Sequence, residues 1–437
     1  MVVSDIPSGT ITYPPIKDFG LIGDLHTAAL VSKNGSIDWC CWPDFDSPAV
    51  FCKLLDVQRG GSFAINPVKN FVSSQRYVEG TNVLQTVFET DSGRIRLSDF
   101  MPVGHLAGGY IEDPPVTRRA ISRLVEGLSG EVKVEVNFRP TFNYARGKTE
   151  IEPFAKGGVA RSADEAVVLY CPFALNANAD GSLRSRFKIS TGDRVWLHLS
   201  YSSKLIFHEL TAADHEIEFE QTIAHWRKWL DICTYEGDYS SFVHRSALVL
   251  KLLTFAPTGA IVAAPTTSLP ETPGGVRNWD YRYTWLRDSS LIVYALQLIG
   301  YYHEASAFLD WLNRLEIAKH KRVQIMYSVR GEEDLTEYHL EHLEGYHNSQ
   351  PVRIGNGAYQ QQQYDIFGEA LDAAFLYHER VHKALPKRWW DEVRFFADEA
   401  TRWYLEDVAR FARDCDAHVA EQEAWLETKG PPKITAY

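Results

Sequence analysis

Residues 277–288 read Arg-Asn-Trp-Asp-Tyr-Arg-Tyr-Thr-Trp-Leu-Arg-Asp and come directly before an apolar run, 291–299, with helical spacing. Tryptophan and tyrosine rings offer flat apolar faces to a sugar, and each keeps one polar group. Arg287 adds a rigid fork of donors, and Asp288 adds an acceptor carboxylate. These residue types indicate a sugar-binding loop at the start of a helix. On composition alone, a packed aromatic loop with a local ion pair is an equal alternative.

The sequence on both sides of this stretch has the apolar periodicity of helices. The pattern predicts helices over 242–254, 289–298, 304–317, 364–377 and 389–412, with a bridging helix over 216–230. The glutamines at 360–363 are predicted to begin a helix. Long loops at 256–285 and 319–358 carry Gly, Pro and aromatic residues. Antiparallel helices with functional loops at one end are typical of a helical toroid.

The first half of the chain has strand patterns instead. Apolar residues at 132, 134, 136 and 138 alternate with polar ones, as in a half-buried strand. Segments 83–89 and 94–97 flank Asp91-Ser92-Gly93, which indicates a hairpin. A further strand is predicted over 194–199, and Asn34-Gly35 marks a turn. Short strands joined by such turns favour a β sandwich before about residue 215.

Length and composition restrict the class of protein. A chain of 437 residues is expected to form more than one domain. Its 45 basic and 57 acidic residues give a net charge of −12, which argues against a nucleic-acid or membrane partner. The six cysteines show no CxxC spacing, and neither a signal peptide nor a membrane span is visible. We therefore expect a cytoplasmic protein with reduced thiols.

Three blocks of sequence, in order along the chain, resemble one enzyme family. Residues 277–288 look like the glucose-site motif of glycoside hydrolase family fifteen, the glucoamylase and trehalase group. Residues 17–52 are similar to the N-terminal β domain of its bacterial and archaeal members, and residues 345–369 look like its second substrate loop. The resemblance implies a β super-sandwich (1–215), a linker helix (216–237) and part of an (α/α)₆ toroid (238–437). It also implies an inverting, exo-acting hydrolase that releases terminal glucose from an α-glucoside oligosaccharide or disaccharide.

The resemblance gives five residues substrate-binding roles. Tyr281 and Trp285 are expected to form the walls of the glucose pocket, and Arg287 and Asp288 to hold the sugar hydroxyls. Arg353 in the second loop is expected to complete the rim. The sequence has no Gly-rich phosphate loop, and nothing in it indicates a nucleotide, redox or other cofactor.

The resemblance also suggests a general acid. The family has this Glu in a stretch of the form Gly-Ile-Trp-Glu-x-Arg-Gly-Pro, and residues 424–431 here read Ala-Trp-Leu-Glu-Thr-Lys-Gly-Pro. Glu427 therefore matches the acid, although Leu426 stands where the family has Trp and Lys429 where it has Arg. An exposed Glu at the end of a charged helix is the alternative interpretation of Glu427.

No residue of the chain matches the second carboxylate, the general base, that an inverting glycosidase needs. The family carries this base well downstream, whereas Tyr437 follows Glu427 by only a short segment. We therefore expect a C-terminally truncated chain, with little or no hydrolysis if these 437 residues are the whole polypeptide. A catalytically incomplete sugar-binding or regulatory relative, like the phosphorylase kinase regulatory subunits, is the alternative function.

Two clusters invite a metal-binding interpretation, which we consider the weaker one. His339, His342 and His347 lack the HExxH form and fall in a loop that the resemblance assigns to sugar binding. A metal-dependent enzyme built on His339 and His342 is nonetheless a second alternative. The acidic loop 38–46 lacks the Gly and terminal Glu of a calcium loop. This loop is expected to pack toward the helical half instead.

Overall fold

A computed structural model describes residues 13–104, 116–203, 209–320, 323–381 and 385–406, together with residues 413 and 420. Within these residues, no helix combines the length and the apolar composition needed to cross a membrane.

Strands dominate the first half of the described chain. In chain order they are β1 (Phe19–Gly23), β2 (Ala28–Ser32), β3 (Ser36–Cys41), β4 (Ala49–Phe51), β5 (Ser62–Pro67), β6 (Val72–Tyr77), β7 (Leu84–Thr90), β8 (Gly93–Phe100), β9 (Val103–Gly104), β10 (Val116–Thr117), β11 (Ala120–Arg139), β12 (Glu150–Phe154), β13 (Gly157–Ser162), β14 (Glu165–Tyr170), β15 (Asn176–Ala177), β16 (Leu183–Ser190) and β17 (Arg194–Ser202).

One long strand, β11, belongs to two antiparallel layers. Its second half pairs with β5 and β16, in the layer that also contains β1 to β4 and β15. Its first half pairs with β8 and β17, in the layer that also contains β6, β7 and β12 to β14. The strand passes between the layers at a bulge near Gly127, followed by Gly130 with φ +67°.

A shared apolar core lies between the two layers. It combines residues of the first layer, such as Ile37 and Val134, with residues of the second, such as Phe88 and Leu199. The alternation predicted at 132–138 is confirmed, since the four apolar side chains are buried and the polar ones between them are not.

The local turn predictions are also confirmed. Strands β7 and β8 pair from Thr90 and Gly93 outward, leaving Asp91-Ser92 as a two-residue loop. Gly35 has φ +70° in the turn between β2 and β3, and its N–H donates to Ser32 O at 2.8 Å. The predicted strand over 194–199 is the first part of β17.

Helices dominate the second half. They are α1 (Ala212–Leu230), α2 (Ser240–Leu252), α3 (Leu286–Leu298), α4 (Tyr302–Arg314), α5 (Ile317–His320) and α6 (Asp365–Val381), followed by helical residues 390–406. Single turns of 3₁₀ helix occur at Ile16–Asp18, Tyr346–Asn348, Gly357–Gln360 and Lys387–Trp389. Three short strand pairs complete the described structure: β9 with β10, β18 (Thr284–Trp285) with β19 (Met326–Tyr327), and β20 (Tyr338–His339) with β21 (Arg353–Ile354).

Two helix starts differ from the predictions for identifiable reasons. Helix α1 begins about one turn before residue 216, because Thr211 and Asp214 form a capping box. The prediction that residues 360–363 begin a helix is wrong. Gln361 is extended, with φ −74° and ψ 158°, and it ends the 3₁₀ turn before α6 begins at Asp365.

The two halves pack against each other through a second apolar core. Leu25 and Phe45 of the strand-rich half are buried with Trp226, Phe255 and Leu286 of the helical half. A buried polar contact joins three helices within this core: Glu304 on α4 accepts from Trp229 on α1 at 2.7 Å and from Lys251 on α2 at 2.9 Å.

The prediction of a strand-rich first half followed by a helical second half is confirmed. The complete (α/α)₆ toroid stays a prediction, and so do the divisions at residues 215 and 237.

Candidate functional site

Residues 277–288 form a loop that leads into α3. Its last extended residues, Thr284 and Trp285, pair with Tyr327 and Met326, and the helix begins at Leu286. The loop is thereby held between two other loops of the helical half. Tyr281 is exposed between the buried Asp280 and Arg282, and residues 282–286 are all buried.

Two charged residues of the loop point inward and are fully buried. Arg282 donates to Asp280 from Nε at 2.9 Å and from Nη2 at 2.6 Å, and the exposed fraction of both side chains is 0%. Asp280 also accepts from the Gly355 backbone N–H at 3.2 Å. Burial opposes the charge of Arg282, but the attraction and hydrogen bonding of Asp280, together with the nearby Tyr144 and Cys41, outweigh burial and raise the pKa of the guanidinium.

Arg282 also reaches into the strand-rich half. Its Nη1 donates to Ser47 O at 2.8 Å and lies 3.5 Å from Cys41 Sγ, while its Cζ lies 5.6 Å from the centre of the Tyr144 ring. The strand-rich half therefore fixes the backbone of the loop. This buried pair was not predicted from the sequence, because charged residues are ordinarily expected at the surface.

Two predicted sugar-contacting aromatics lie together on the other side of the loop. The rings of Tyr281 and Trp285 are 5.7 Å apart at an angle of 45°. Tyr281 is 38% exposed and Trp285 is 7% exposed, so only Tyr281 presents much of its surface. Burial, together with the negative charge of Glu271, raises the pKa of Tyr281, which keeps the phenol neutral.

Arg287 and Asp288 form the polar part of the same surface. Arg287 contacts Asp288 Oδ2 at 3.0 Å, Asp365 Oδ2 at 3.2 Å and Gln363 Oε1 at 3.3 Å. Its guanidinium thus joins the start of α3 to the start of α6. Asp365 and Gln363 were not predicted to belong to the site. The only signal for them in the sequence was their position at a helix start, since α6 begins at Asp365.

Arg353 has a different environment from that of the other predicted contacts. Its Nε donates to Glu337 at 2.9 Å, its Nη1 donates to the carbonyl oxygens of Val276 and Asn278, and its Cζ lies 4.4 Å from the centre of the Trp279 ring. The side chain is 12% exposed. Arg353 therefore holds the first loop in place, and its contact with a sugar stays a prediction.

The acidic segment 38–46 packs against the helical half, as predicted, although residues 38–41 belong to β3 and not to a loop. Asp44 accepts from Arg330 Nε at 2.9 Å, and Asp46 accepts from the Val329 backbone N–H at 3.1 Å. Burial raises the pKa of Asp46 to about 6.

The histidines considered as metal ligands do not come together in the described structure. His342 Nε2 lies 2.7 Å from Tyr144 O, whereas His339 lies beside Glu337 and Glu341 at 3.7 Å from each. Within the described residues, they form no group with ligand atoms close enough for one ion. The predicted general acid, Glu427, lies outside the described residues.

A cavity of about 160 Å³ opens beside the polar surface. Gln363 and Tyr364 line one side, and Trp403 and Arg402 line another. The rings of Tyr364 and Trp403 are 4.7 Å apart. The cavity adds a second aromatic pair near Arg287, which no motif in the sequence had indicated.

Comparison with known proteins gives consistent matches along the chain. Residues 237–401 match the family model "Glycosyl hydrolases family 15", and residues 10–186 match the model "Trehalase-like, N-terminal". A trehalase of Thermoplasma volcanium is 41% identical over 368 residues, which cover 83% of this chain and 57% of that protein.

Two actinobacterial relatives match a larger share of this chain. The trehalases of Mycolicibacterium smegmatis and Mycobacterium tuberculosis are 36% and 35% identical over 419 residues, covering 90% of this chain and 61% and 60% of those proteins. The chain therefore spans about three fifths of the length of the curated relatives that it matches.

Proposed function

Because the chain belongs to family 15 of the glycosyl hydrolases, we propose that it forms the glucose-binding part of an enzyme that hydrolyses an α-glucosidic bond. The observation that carries this proposal is the mixed surface at the start of α3. There, the exposed Tyr281 ring and the Arg287 guanidinium lie on one short stretch of chain. Aromatic stacking and forked hydrogen bonds are the two interactions that a pyranose ring and its vicinal hydroxyls require.

In this proposal, Tyr281 and Trp285 form the apolar wall of the terminal glucose subsite. Arg287 donates to sugar hydroxyls, and Asp288 accepts from them. The contacts of Arg287 with Asp288 and Asp365 fix the direction of its fork before the sugar arrives. Arg353 acts mainly by positioning the loop and completes the rim of the pocket.

The proposed reaction is exo-acting and inverting. An inverting glycosidase uses one carboxylic acid to protonate the glycosidic oxygen and one carboxylate to activate water on the opposite face, about 6.5–9.5 Å away. Glu427 is proposed as the acid. The base has no assignment in this chain.

Trehalose is the proposed substrate, because the relatives that match most of the chain are named trehalases. The partner is accordingly a small α-glucoside, with neither nucleic acid nor a membrane involved. We place the protein in the cytoplasm, where the five described cysteines, all free thiols, stay reduced.

The test is glucose release from trehalose, maltose and soluble starch by the 437-residue chain, with the anomer followed by NMR. Any trehalose that the chain hydrolyses should yield β-glucose, and this release should be lost in Glu427→Gln. Glu423→Gln is the matched control, since it makes the same change in the same acidic segment.

Release of α-glucose alone would contradict inversion, and equal activity in the two variants would contradict the role of Glu427. Glucose from maltose or starch but not trehalose would keep the family chemistry and overturn the choice of substrate.

A catalytically incomplete sugar-binding or regulatory relative is the second candidate function. It is favoured by the missing match for a general base among the 437 residues. Calorimetric titration with trehalose, combined with the glucose-release assay, tests the second candidate. Saturable binding without glucose release supports the second candidate, whereas turnover excludes it.

A further inference from the structure

A compact group of potential metal ligands lies away from the sugar site, where α1 packs on the second layer of strands. His198, His215 and Glu218 each offer one ligand atom, and these atoms all lie within 4.8 Å of one another. The three residues are 2%, 5% and 9% exposed. Within the described part of the chain, this is the one group of three His, Cys, Asp or Glu residues with such spacing.

The fold brings these residues together from two elements. His215 and Glu218 are three positions apart near the start of α1, so their side chains lie on one face of the helix. The capping box of Thr211 and Asp214 fixes this first turn. His198 lies on β17, and the ring centres of His198 and His215 are 5.0 Å apart.

Each residue has an atom available for a metal. Nδ1 of His198 lies 2.9 Å from Ser122 Oγ, which fixes the ring and leaves Nε2. Nδ1 of His215 is buried without a hydrogen-bond partner among the described residues. Arg118 Nε lies 2.6 Å from Glu218 Oε1, while Oε2 of the same carboxylate is buried without a hydrogen-bond partner in the described structure.

We propose that His198, His215 and Glu218 bind a divalent transition-metal ion, with zinc as the best match to the ligands. Two imidazoles and one carboxylate are a common zinc set that leaves a fourth position for water. Zinc bonds of about 2.0–2.2 Å place tetrahedral ligands about 3.4 Å apart, so the side chains must close by roughly 1 Å. The Arg118 side chain that pairs with Glu218 is 54% exposed.

The charge state of the imidazoles suits this role. Burial, reinforced by the nearby His215 and Arg118, lowers the pKa of His198 to about 3. Burial also lowers the pKa of His215. Both rings are therefore neutral at pH 7, which is the form that coordinates a metal.

A metal here stabilises the contact between α1 and the strand-rich half. Trp196 on β17 stacks on His215 at 5.4 Å between ring centres, and Trp196 packs with Phe219 of α1. The ion would add coordinate bonds that join α1 to β17. The proposal is independent of sugar chemistry, since none of its residues belongs to the loops around Arg287.

The test is equilibrium dialysis of the chelator-treated 437-residue chain against micromolar zinc, followed by elemental analysis. We expect about one zinc per chain, and a loss of affinity of roughly 100-fold or more in His215→Gln and in Glu218→Gln. His303→Gln is the matched control. His303 is exposed on α4, so this substitution removes one imidazole away from the proposed site. Thermal melting with and without zinc provides a second readout, in which zinc should raise the melting temperature of the wild type and not that of His215→Gln.

Less than about 0.1 zinc per wild-type chain overturns the proposal without reference to any variant. Equal binding by the wild type and His215→Gln also overturns it, since the zinc would then occupy surface histidines. If His215→Gln fails to fold, the wild-type stoichiometry and the Glu218→Gln variant still decide the question.

Discussion

Replacing Asp280 with asparagine tests whether the buried ion pair holds the candidate loop in place. The substitution keeps the size of the side chain but leaves the Arg282 guanidinium without its carboxylate, in a site where both side chains have no exposed surface. Removing one partner of a fully buried pair typically costs about 3–5 kcal/mol. The two hydrogen bonds at 2.6 and 2.9 Å place this pair among those with good geometry.

The measurement is equilibrium unfolding in urea, followed by tryptophan fluorescence and far-UV circular dichroism. Asp391→Asn is the matched control, because Asp391 also pairs with an arginine at 2.9 Å but is 78% exposed. An exposed pair contributes about 0–1 kcal/mol, so Asp391→Asn should leave the unfolding midpoint nearly unchanged. Asp280→Asn should lower the free energy of unfolding by about 3–5 kcal/mol, the cost of an unpaired buried charge, and should therefore lower the midpoint clearly.

A double variant tests whether the unpaired charge of Arg282 causes the loss of stability. Adding Arg282→Met to Asp280→Asn removes the unpaired charge, so the double variant should regain part of the lost free energy of unfolding. Equal midpoints for Asp280→Asn and Asp391→Asn would refute the reasoning. So would a double variant less stable than Asp280→Asn alone.

Three other variants test separate features. Arg287→Lys should weaken trehalose binding by roughly 10-fold, because a lysine cannot reproduce the forked contacts of arginine, and should leave the unfolding midpoint unchanged, because the side chain is partly exposed. Unchanged affinity in calorimetric titration would exclude Arg287 from the sugar site. Burial raises the pKa of Asp46 to about 6, so ionisation lowers folded stability as pH rises from about 4 to 6. Asp46→Asn should therefore match the wild type near pH 4 and exceed it above pH 6 by up to about 3 kcal/mol, and parallel stability curves across this range would contradict the assignment. Gly130→Ala should destabilise the protein more than Gly181→Ala does, although both glycines have positive φ. A Cβ at residue 130 would lie 2.2 Å from a carbonyl oxygen, whereas a Cβ at residue 181 would have no atom within 4 Å. Urea midpoints measure the difference, and equal losses would contradict it.

The sequence predicted strands well where one face of the strand is buried. Residues 132–138 alternate because successive side chains point to opposite faces. The beginning of the same strand, residues 120–125, is buried on both faces and therefore shows no alternation. Its continuity with 132–138 became visible only in the structure.

The approximate positions of the helices were predicted, but the residues at which they begin were not. The apolar pattern of α1 begins late, because its first buried residues, His215 and Glu218, are polar. The capping pair Thr211 and Asp214 was present in the sequence and was the signal that marks the start.

The candidate site was only partly predictable. Tyr281, Trp285, Arg287 and Asp288 were identified because the family motif contains them, and the structure places them on one short stretch. The role of Asp280 and Arg282 in the same stretch depends on Ser47 and Cys41, more than 200 positions away. Neither residue spacing nor composition contains such a long-range contact.

The strand β11 also has a consequence for how the molecule opens. Because its 20 residues supply hydrogen bonds to both layers, disorder in either layer frees one end of a strand that the other layer needs. Amide protons in the two layers should therefore exchange with solvent in one concerted opening rather than in two. The strand makes a single cooperative unit of two sheets.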